Sequence, residues 1–170
     1  HNLVVLLFVA GRYDEARTQF RELTAITPPR FPPDTVIGQS LLLGGDPAAA
    51  LDYAGSLSPG VVRDQLEALS FFALGRSQEA EDALQRLAAT SSKSKAYRLA
   101  EVHAYRGETD AAFEWLRRAV DTDDSGCPMG ECWPPDWIAQ LPLLRPLHAD
   151  PRWPALAAAL VAPPVKPRRS

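Results

Sequence analysis

The sequence has few of the residues and motifs that catalysis or metal binding usually requires. Among 170 residues there are three histidines, His1, His103 and His148, and they are scattered along the chain. No Gly-x-Ser-x-Gly elbow, phosphate-cradling glycine loop or His-Glu-x-x-His motif occurs. We therefore expect no catalytic residue, no metal site and no cofactor, and we expect that the protein is not an enzyme.

The sequence also lacks an excess of basic residues and any long hydrophobic run. Its 18 Lys and Arg residues stand against 21 Asp and Glu residues, which gives a net charge of −3. Nucleic-acid binding needs a clearly basic face, so this partner class is disfavoured. The longest apolar run, Leu3 to Ala10, is far too short to span a bilayer. It does not resemble a signal peptide either, and because His1 already lies inside a helical pattern we expect a fragment of a longer protein.

A turn that recurs at near-constant spacing is the main positive feature. Its glycines are Gly11, Gly45, Gly75 and Gly107, which lie 34, 30 and 32 residues apart. Five residues after each glycine comes an alanine: Ala16, Ala50, Ala80 and Ala112. Glycine readily takes the left-handed conformation that ends many helices, and a small alanine lets two helices approach closely. The pattern predicts a series of helix–turn–helix hairpins, whereas a generic helical bundle has no reason to repeat a turn at this period.

Residues after the turn glycines predict where the second helix of each hairpin begins. Asp46, Ser77 and Thr109 are of the types that cap helix N-termini, and Pro47 suits a first helical position. Acidic residues occupy the first turns, where the helix dipole favours negative charge: Asp14, Glu15, Glu79 and Asp110.

These turns resemble the tetratricopeptide repeat, whose pattern has Gly-x-Tyr-x-Glu-Ala at the turn and a proline closing the second helix. The best matches are Gly11, Tyr13, Glu15, Ala16, Phe20 and Pro28. The later repeats lack the turn tyrosine and the closing proline. The resemblance covers roughly residues 1–121 and implies an all-α, right-handed solenoid of about four helical hairpins.

The C-terminal part resembles the end of the repeat regions in bacterial signalling proteins, which include winged-helix regulators, adenylate cyclases and kinases. The matching stretches are Gly107 to Ala119, Pro142 to Leu147 and Asp150 to Trp153. This resemblance implies that Trp153, Leu156 and Leu160 belong to a capping helix over the last repeat. We expect repeats at 1–28, 29–60, 61–92 and 93–121, a cysteine-containing loop at 122–134, a capping segment at 135–162 and a basic tail at 163–170.

In the resembled family, the residues ten, six and two positions before each turn glycine point into a concave groove. We expect the partner-binding groove to be formed by Gln39, Gln65, Leu69, Tyr97, Glu101 and Tyr105. Tyrosine suits recognition because it offers a large rigid contact with one polar tip. As groove residues, Tyr97 and Tyr105 should be replaceable by alanine without loss of the fold. The lysines and asparagines that grip chaperone C-termini are absent at these positions, so that partner class is disfavoured.

The expected function is that of a protein- or peptide-binding interaction or sensor domain in a larger bacterial signalling protein. The alternative is a structural spacer or dimerisation module attached to a catalytic domain such as a cyclase or kinase. A homodimer is compatible with either. A third hypothesis is a redox-responsive module that uses the two cysteines.

Cys127 and Cys132 lie in one acidic loop and allow three interpretations. A disulfide would close a small loop and point to an oxidising compartment such as the periplasm, which we favour over the cytoplasm. Zinc would need His103 or His148 as well, and the spacing is not that of a common finger. Asp121, Asp123 and Ser125 resemble the start of a calcium loop, but a cysteine stands where the bidentate glutamate belongs.

The disulfide interpretation predicts a mass difference. Without reductant, the intact protein should be lighter by two hydrogen atoms than after reduction, because one S–S bond replaces two thiols. Mass spectrometry with and without alkylation checks this. Alkylation of both thiols in the native protein would contradict the bridge and remove the argument for a periplasmic location.

Overall fold

A computed structural model describes residues 2–26, 34–92, 94–122 and 140–161, and within these ranges the chain is helical with no strand. The α-helices are α1 (Asn2–Val9), α2 (Tyr13–Ile26), α3 (Asp34–Leu43), α4 (Pro47–Ser56), α5 (Val61–Ala73), α6 (Ser77–Ala89), α7 (Lys95–Tyr105), α8 (Thr109–Asp121) and α9 (Trp153–Val161), and Pro142–Leu147 forms a 3₁₀ helix. The predicted all-α fold of helical hairpins is confirmed. Cys127, Cys132, Asp123, Ser125 and the basic tail lie outside the described ranges.

The chain divides into two compact units, His1–Thr90 and Ser91–Ser170. In the first unit each helix from α1 to α6 packs against the next, and α3 also packs against α5. In the second unit α7 packs against α8, the 3₁₀ helix packs against α7, and α9 packs against α8. None of the helices in the described ranges combines the length and hydropathy needed to cross a membrane.

Each hairpin turn is closed by the same backbone arrangement. Gly11, Gly45, Gly75 and Gly107 all have positive φ angles, between 72° and 90°. In the third hairpin the Gly75 N–H donates to the Phe72 carbonyl (3.0 Å) and the Arg76 N–H donates to the Phe71 carbonyl (2.9 Å). The same pair of bonds recurs at the other three glycines. This is a Schellman motif, which needs a left-handed residue, so the predicted role of the turn glycines is confirmed.

The predicted helix starts are confirmed in one hairpin and wrong in two. Asp46 caps α4, since its Oδ1 accepts a hydrogen bond from the Ala49 N–H (2.9 Å), and Pro47 takes the first helical position. Ser77 and Thr109 are themselves the first residues of α6 and α8. The N-cap positions belong to Arg76 and Glu108, whose side chains make no capping bond. The Schellman turn leaves a single residue between the glycine and the next helix, so that helix begins one residue earlier than predicted.

First-turn glutamates bond to an arginine three residues earlier in the first and third hairpins. Arg12 Nε donates to Glu15 Oε1 (2.7 Å), and Arg76 Nη2 donates to Glu79 Oε1 (2.7 Å). These hydrogen bonds lower the pKa of the Glu15 and Glu79 carboxyl groups. Both pairs are exposed, and such pairs between residues three apart contribute little to stability.

The alanines that follow the turns lie at close helix contacts. Ala16, Ala50, Ala80 and Ala112 are all fully buried. The neighbouring apolar residues of the same second helices are buried as well, among them Leu87 on α6 and Leu116 on α8. This burial agrees with the close helix contact that the repeated alanine predicts, at which a larger side chain would require the partner helix to move.

One close contact was not expected from the sequence. A Cβ atom added to Gly38 on α3 would lie 2.2 Å from Cδ1 of Leu66 on α5, and Leu66 is fully buried. The glycine therefore lets two consecutive first helices approach each other, a role separate from the turn glycines.

A charged cluster fastens α9 to α8 in the second unit. Arg152 donates from Nη1 to Asp110 on α8 (2.8 Å) and from Nε to Asp150 (2.9 Å). Its guanidinium lies 4.2 Å above the ring of Phe113, which is also on α8. Trp153 is buried at the start of α9 and stacks on His148. The expected C-terminal capping helix is therefore present.

The buried alanines predict a stability effect. Ala80→Leu and Ala112→Leu should each lower the free energy of unfolding by about 1–3 kcal/mol, because three extra carbons must enter a filled contact. Chemical denaturation measures this. Ala88→Leu, at an exposed position of α6, is the matched control and should have little effect. Equal stability of all four proteins would show that the alanines do not lie at close crossings.

The Arg152 cluster predicts a pH dependence. Hydrogen bonds from the Arg152 side chain lower the pKa of Asp150 from 3.8 to about 2 in the folded protein. A lowered folded-state pKa stabilises the fold above the unfolded pKa, and this contribution disappears as the pH falls toward 2. Asp150→Asn should therefore be less stable than the parent protein between pH 5 and 7, and the difference should vanish near pH 2. A difference that is independent of pH would contradict the assignment.

Candidate partner-binding site

The six predicted groove residues lie on first helices of the hairpins. Gln39 is on α3, Gln65 and Leu69 are one turn apart on α5, and Tyr97, Glu101 and Tyr105 are one turn apart on α7. Their exposed fractions are 1% for Gln39, 0% for Gln65 and Leu69, 2% for Tyr97 and 1% for Glu101, while Tyr105 is half-buried. Whether they bind a partner stays a prediction.

The expectation that these side chains are accessible is wrong for five of the six. Residues 65–70 on α5 are buried without a break, so that no face of the helix is open there. Part of the reason is that α5 packs against α3, α4 and α6 at once. Residues 96–102 on α7 are likewise buried without a break, and α7 packs against α8 and the 3₁₀ helix. An Ala substitution at Tyr97 would thus remove core contacts, contrary to the expectation that it spares the fold.

Helix α7 combines burial with polarity to an unusual degree. Arg98 and Glu101 are both almost fully buried on it, next to Tyr97. Each of the three is engaged in an interaction within the chain. One turn after Glu101, burial raises the pKa of the Tyr105 phenol. Charged side chains are rarely buried without partners, because the loss of hydration must be compensated. Helix α7 therefore places several polar side chains in the interior of the second unit.

Gln39 is an anomaly in the first unit. Its amide nitrogen Nε2 is buried and has no hydrogen-bond partner within the part of the chain that the structure describes. The hydroxyl groups of Ser40 on the same helix and Ser70 on α5 are buried and unsatisfied in the same way. Leaving one such donor unpaired costs about 1–3 kcal/mol. A ligand that supplies an acceptor to Gln39 would recover this free energy.

A cleft at the open end of the third hairpin, away from its turn, holds a network of ion pairs. It has a volume of about 660 Å³ and is lined by Pro59, Gly60, Arg63, Asp64, Glu67, Arg86, Ala89 and Thr90. Arg63 Nε donates to Glu67 Oε1 (2.8 Å) along α5, and Arg86 Nε on α6 donates to Asp64 Oδ1 (3.2 Å). Arg86 also pairs with Glu67. The two carboxylates thus hold both guanidinium groups and tie α6 to α5.

The fourth hairpin has a cleft of about 420 Å³ at the same place, lined by Ser92, Lys95, Ala96, Trp115, Arg118, Asp121 and Thr122. The Arg118 guanidinium lies 4.5 Å above the Trp115 ring. Neither cleft was predicted from the sequence. A signal was present, since Arg63 and Lys95, and Arg86 and Arg118, are each separated by the 32 residues between Gly75 and Gly107.

The zinc and calcium interpretations rest on residues outside the described ranges, Cys127 and Cys132 above all. Both candidate histidines have neighbours of another kind. His103 Nδ1 is 2.5 Å from Glu108 Oε2, and the His148 ring stacks on Trp153. In the part of the chain that the structure describes, no three metal-binding side chains come together.

Comparison with known proteins gives one family. Residues 66–126, which run from α5 to just beyond α8, match the family model described as tetratricopeptide repeat. Neither a search of curated proteins nor one of solved structures gives a significant match. The match covers the third and fourth hairpins, where the turn glycines, the buried alanines and the Schellman bonds are all present. Residues 66–126 therefore carry the tetratricopeptide-repeat pattern, so the family resemblance found in the sequence is supported for the third and fourth hairpins.

Proposed function

We propose, because tetratricopeptide repeats generally mediate protein–protein interaction, that this chain is the protein- or peptide-binding domain of a larger bacterial signalling protein. We further propose that the first helices of its hairpins carry the recognition residues. In the first unit these are Gln39 on α3 with Gln65 and Leu69 on α5. In the second unit they are Tyr97, Glu101 and Tyr105 on α7.

The observation that carries the proposal is the burial of polar side chains on first helices. Gln39 and Glu101 both lie six residues before a turn glycine, and Gln65 and Tyr97 both lie ten residues before one. Burying such groups costs free energy, and the buried apolar residues of the hairpins are mostly alanine and leucine. A spacer needs only the apolar contacts. A recognition module needs polar groups at fixed positions. These groups select the correct ligand, because a wrong ligand leaves them without hydrogen-bond partners.

The unsatisfied Gln39 amide suggests how a first helix would bind a peptide. Its Nε2 group can donate to a backbone carbonyl, and a carboxylate such as that of Glu101 can accept from a backbone N–H. Because Gln39 and Glu101 are each 1% exposed, neighbouring side chains must move before a ligand reaches them. Tyr105, which is half-buried, is the recognition residue that a ligand can touch first.

The spacer or dimerisation alternative is favoured by one observation on α1. Leu3 and Leu6 are one turn apart on this helix and are 52% and 50% exposed. Apolar side chains at this spacing suit stacking against another helix. If this face mediates dimerisation, light scattering should show a dimer that Leu3→Glu abolishes, whereas an interaction domain that acts as a monomer would show neither.

The proposed function predicts the effect of substitutions on α7. A peptide selected from a displayed random library against this domain should bind at least about tenfold more weakly to Glu101→Gln and to Tyr105→Ala, because each change removes a recognition contact. Fluorescence anisotropy with the labelled peptide measures the Kd. Tyr97 is tested as Tyr97→Phe, which removes the hydroxyl and keeps the ring in the core.

Gln85→Ala, on an exposed position of the second helix α6, is the matched control and should leave the Kd unchanged. Circular dichroism melts establish that each variant folds. Unchanged binding by the α7 variants would show that the first helices do not carry recognition. Failure of the selection to yield any peptide, together with a dimer that depends on Leu3, would favour the alternative.

A further inference from the structure

The third and fourth hairpins carry equivalent clefts that differ in the pairing of their cations. Register positions 32 residues apart correspond, so Arg63 matches Lys95, Arg86 matches Arg118, and Thr90 matches Thr122. The threonine fulfils the same role in both, because its hydroxyl donates to the carbonyl of that arginine, at 3.1 Å in the third hairpin and 2.7 Å in the fourth. The scaffold of the cleft is thus the same, and the difference lies in the side chains that face the arginine.

The acidic residues of the third cleft are missing from the fourth. Ala96 stands at the register of Asp64, and Leu99 stands at the register of Glu67. Arg118 therefore lacks the carboxylates that bind Arg86 across the hairpin. It pairs instead with Glu114 along its own helix, through Nη2 (2.5 Å), and its side chain is 53% exposed. Among the described residues, its Nε and Nη1 groups have no hydrogen-bond partner.

We infer that the cleft of the fourth hairpin, formed by Ser92, Lys95, Ala96, Trp115, Arg118, Asp121 and Thr122, is a second docking site, and that it takes an acidic segment of a partner protein. A carboxylate of that segment would receive hydrogen bonds from Arg118. The neighbouring apolar side chain of the segment would lie against Ala96 and Trp115. This site is separate from the recognition residues proposed for the first helices.

The geometry around Arg118 favours a carboxylate. The lining of the cleft contains Lys95, Arg118 and Asp121, and the ion pair of Arg118 with Glu114 uses Nη2 and not Nε or Nη1. Stacking on Trp115 restricts the guanidinium before a ligand arrives, so less conformational entropy is lost on binding. The Nε–H and Nη1–H groups of Arg118 lie on different edges of the guanidinium, and either of them can donate a charge-assisted hydrogen bond to a carboxylate oxygen. The volume of about 420 Å³ is in the range of pockets that hold a small ligand or one side chain and its neighbours.

The test uses a fluorescein-labelled hexapeptide of alternating leucine and glutamate, with the alternating leucine–glutamine hexapeptide as its uncharged counterpart. Fluorescence anisotropy should show that the glutamate peptide binds and that the glutamine peptide binds at least about tenfold more weakly. Equal binding of the two peptides would overturn the proposal, because the cleft would then capture apolar side chains without reading charge. Absence of binding up to about 1 mM would overturn it as well.

Matched variants assign the binding to the cleft. Arg118→Gln should weaken the glutamate peptide at least about tenfold, whereas Arg86→Gln, at the same register in the third hairpin, should leave its Kd within about twofold. Ala96→Asp introduces a carboxylate at the register that Asp64 occupies in the third cleft. This carboxylate should pair with Arg118 and abolish binding of the glutamate peptide. Equal effects of Arg86→Gln and Arg118→Gln, or undiminished binding by Ala96→Asp, would overturn the inference. Glu101→Gln and Tyr105→Ala should not affect this peptide, so failure here is distinguishable from failure of the proposed function.

Discussion

The glycine-closed turn is the constraint on which the rest of this structure depends. At Gly11, Gly45, Gly75 and Gly107 the chain takes a left-handed conformation, and two backbone hydrogen bonds close each turn. Because one residue separates the glycine from the next helix, the second helix must fold back directly against the first. An alanine five residues after the glycine then falls at the contact and is fully buried. The turn therefore determines which helices pair and where they approach most closely. It also sets the register that relates equivalent residues of successive hairpins.

This register explains why the first helices bury polar side chains. Each of them packs against its own second helix, and further elements cover other faces, as α3 and α4 do for α5 and the 3₁₀ helix does for α7. Side chains such as Gln39, Gln65 and Glu101 are consequently enclosed although they are polar. At Glu101 the loss of hydration is offset by an interaction within the chain. The amide nitrogen of Gln39 has no such partner in the described part of the chain. In the proposed recognition role, a ligand accepts a hydrogen bond from the Gln39 amide.

The sequence predicted what is local and missed what depends on several helices at once. Turn glycines, buried alanines and the Asp46 cap could be read directly, because each follows from the conformation of a few adjacent residues. The starts of α6 and α8 were placed one residue late, since the shape of the Schellman turn overrides the capping preference of Ser77 and Thr109. The enclosure of Tyr97 and Glu101 could not be predicted, because helical periodicity describes one face and not the number of neighbours. Ion pairing of Arg86 with Asp64 depends on two helices meeting, and sequence spacing alone does not report it.

Hydrogen–deuterium exchange with and without a library-selected peptide tests the central claim most directly, because it reports on the backbone of every helix in the unmodified protein. If the first helices carry recognition, the bound peptide should slow exchange in α3, α5 or α7 and leave the second helices α4, α6 and α8 unchanged. Slower exchange confined to second helices, or no change in any helix at saturating peptide, would contradict it.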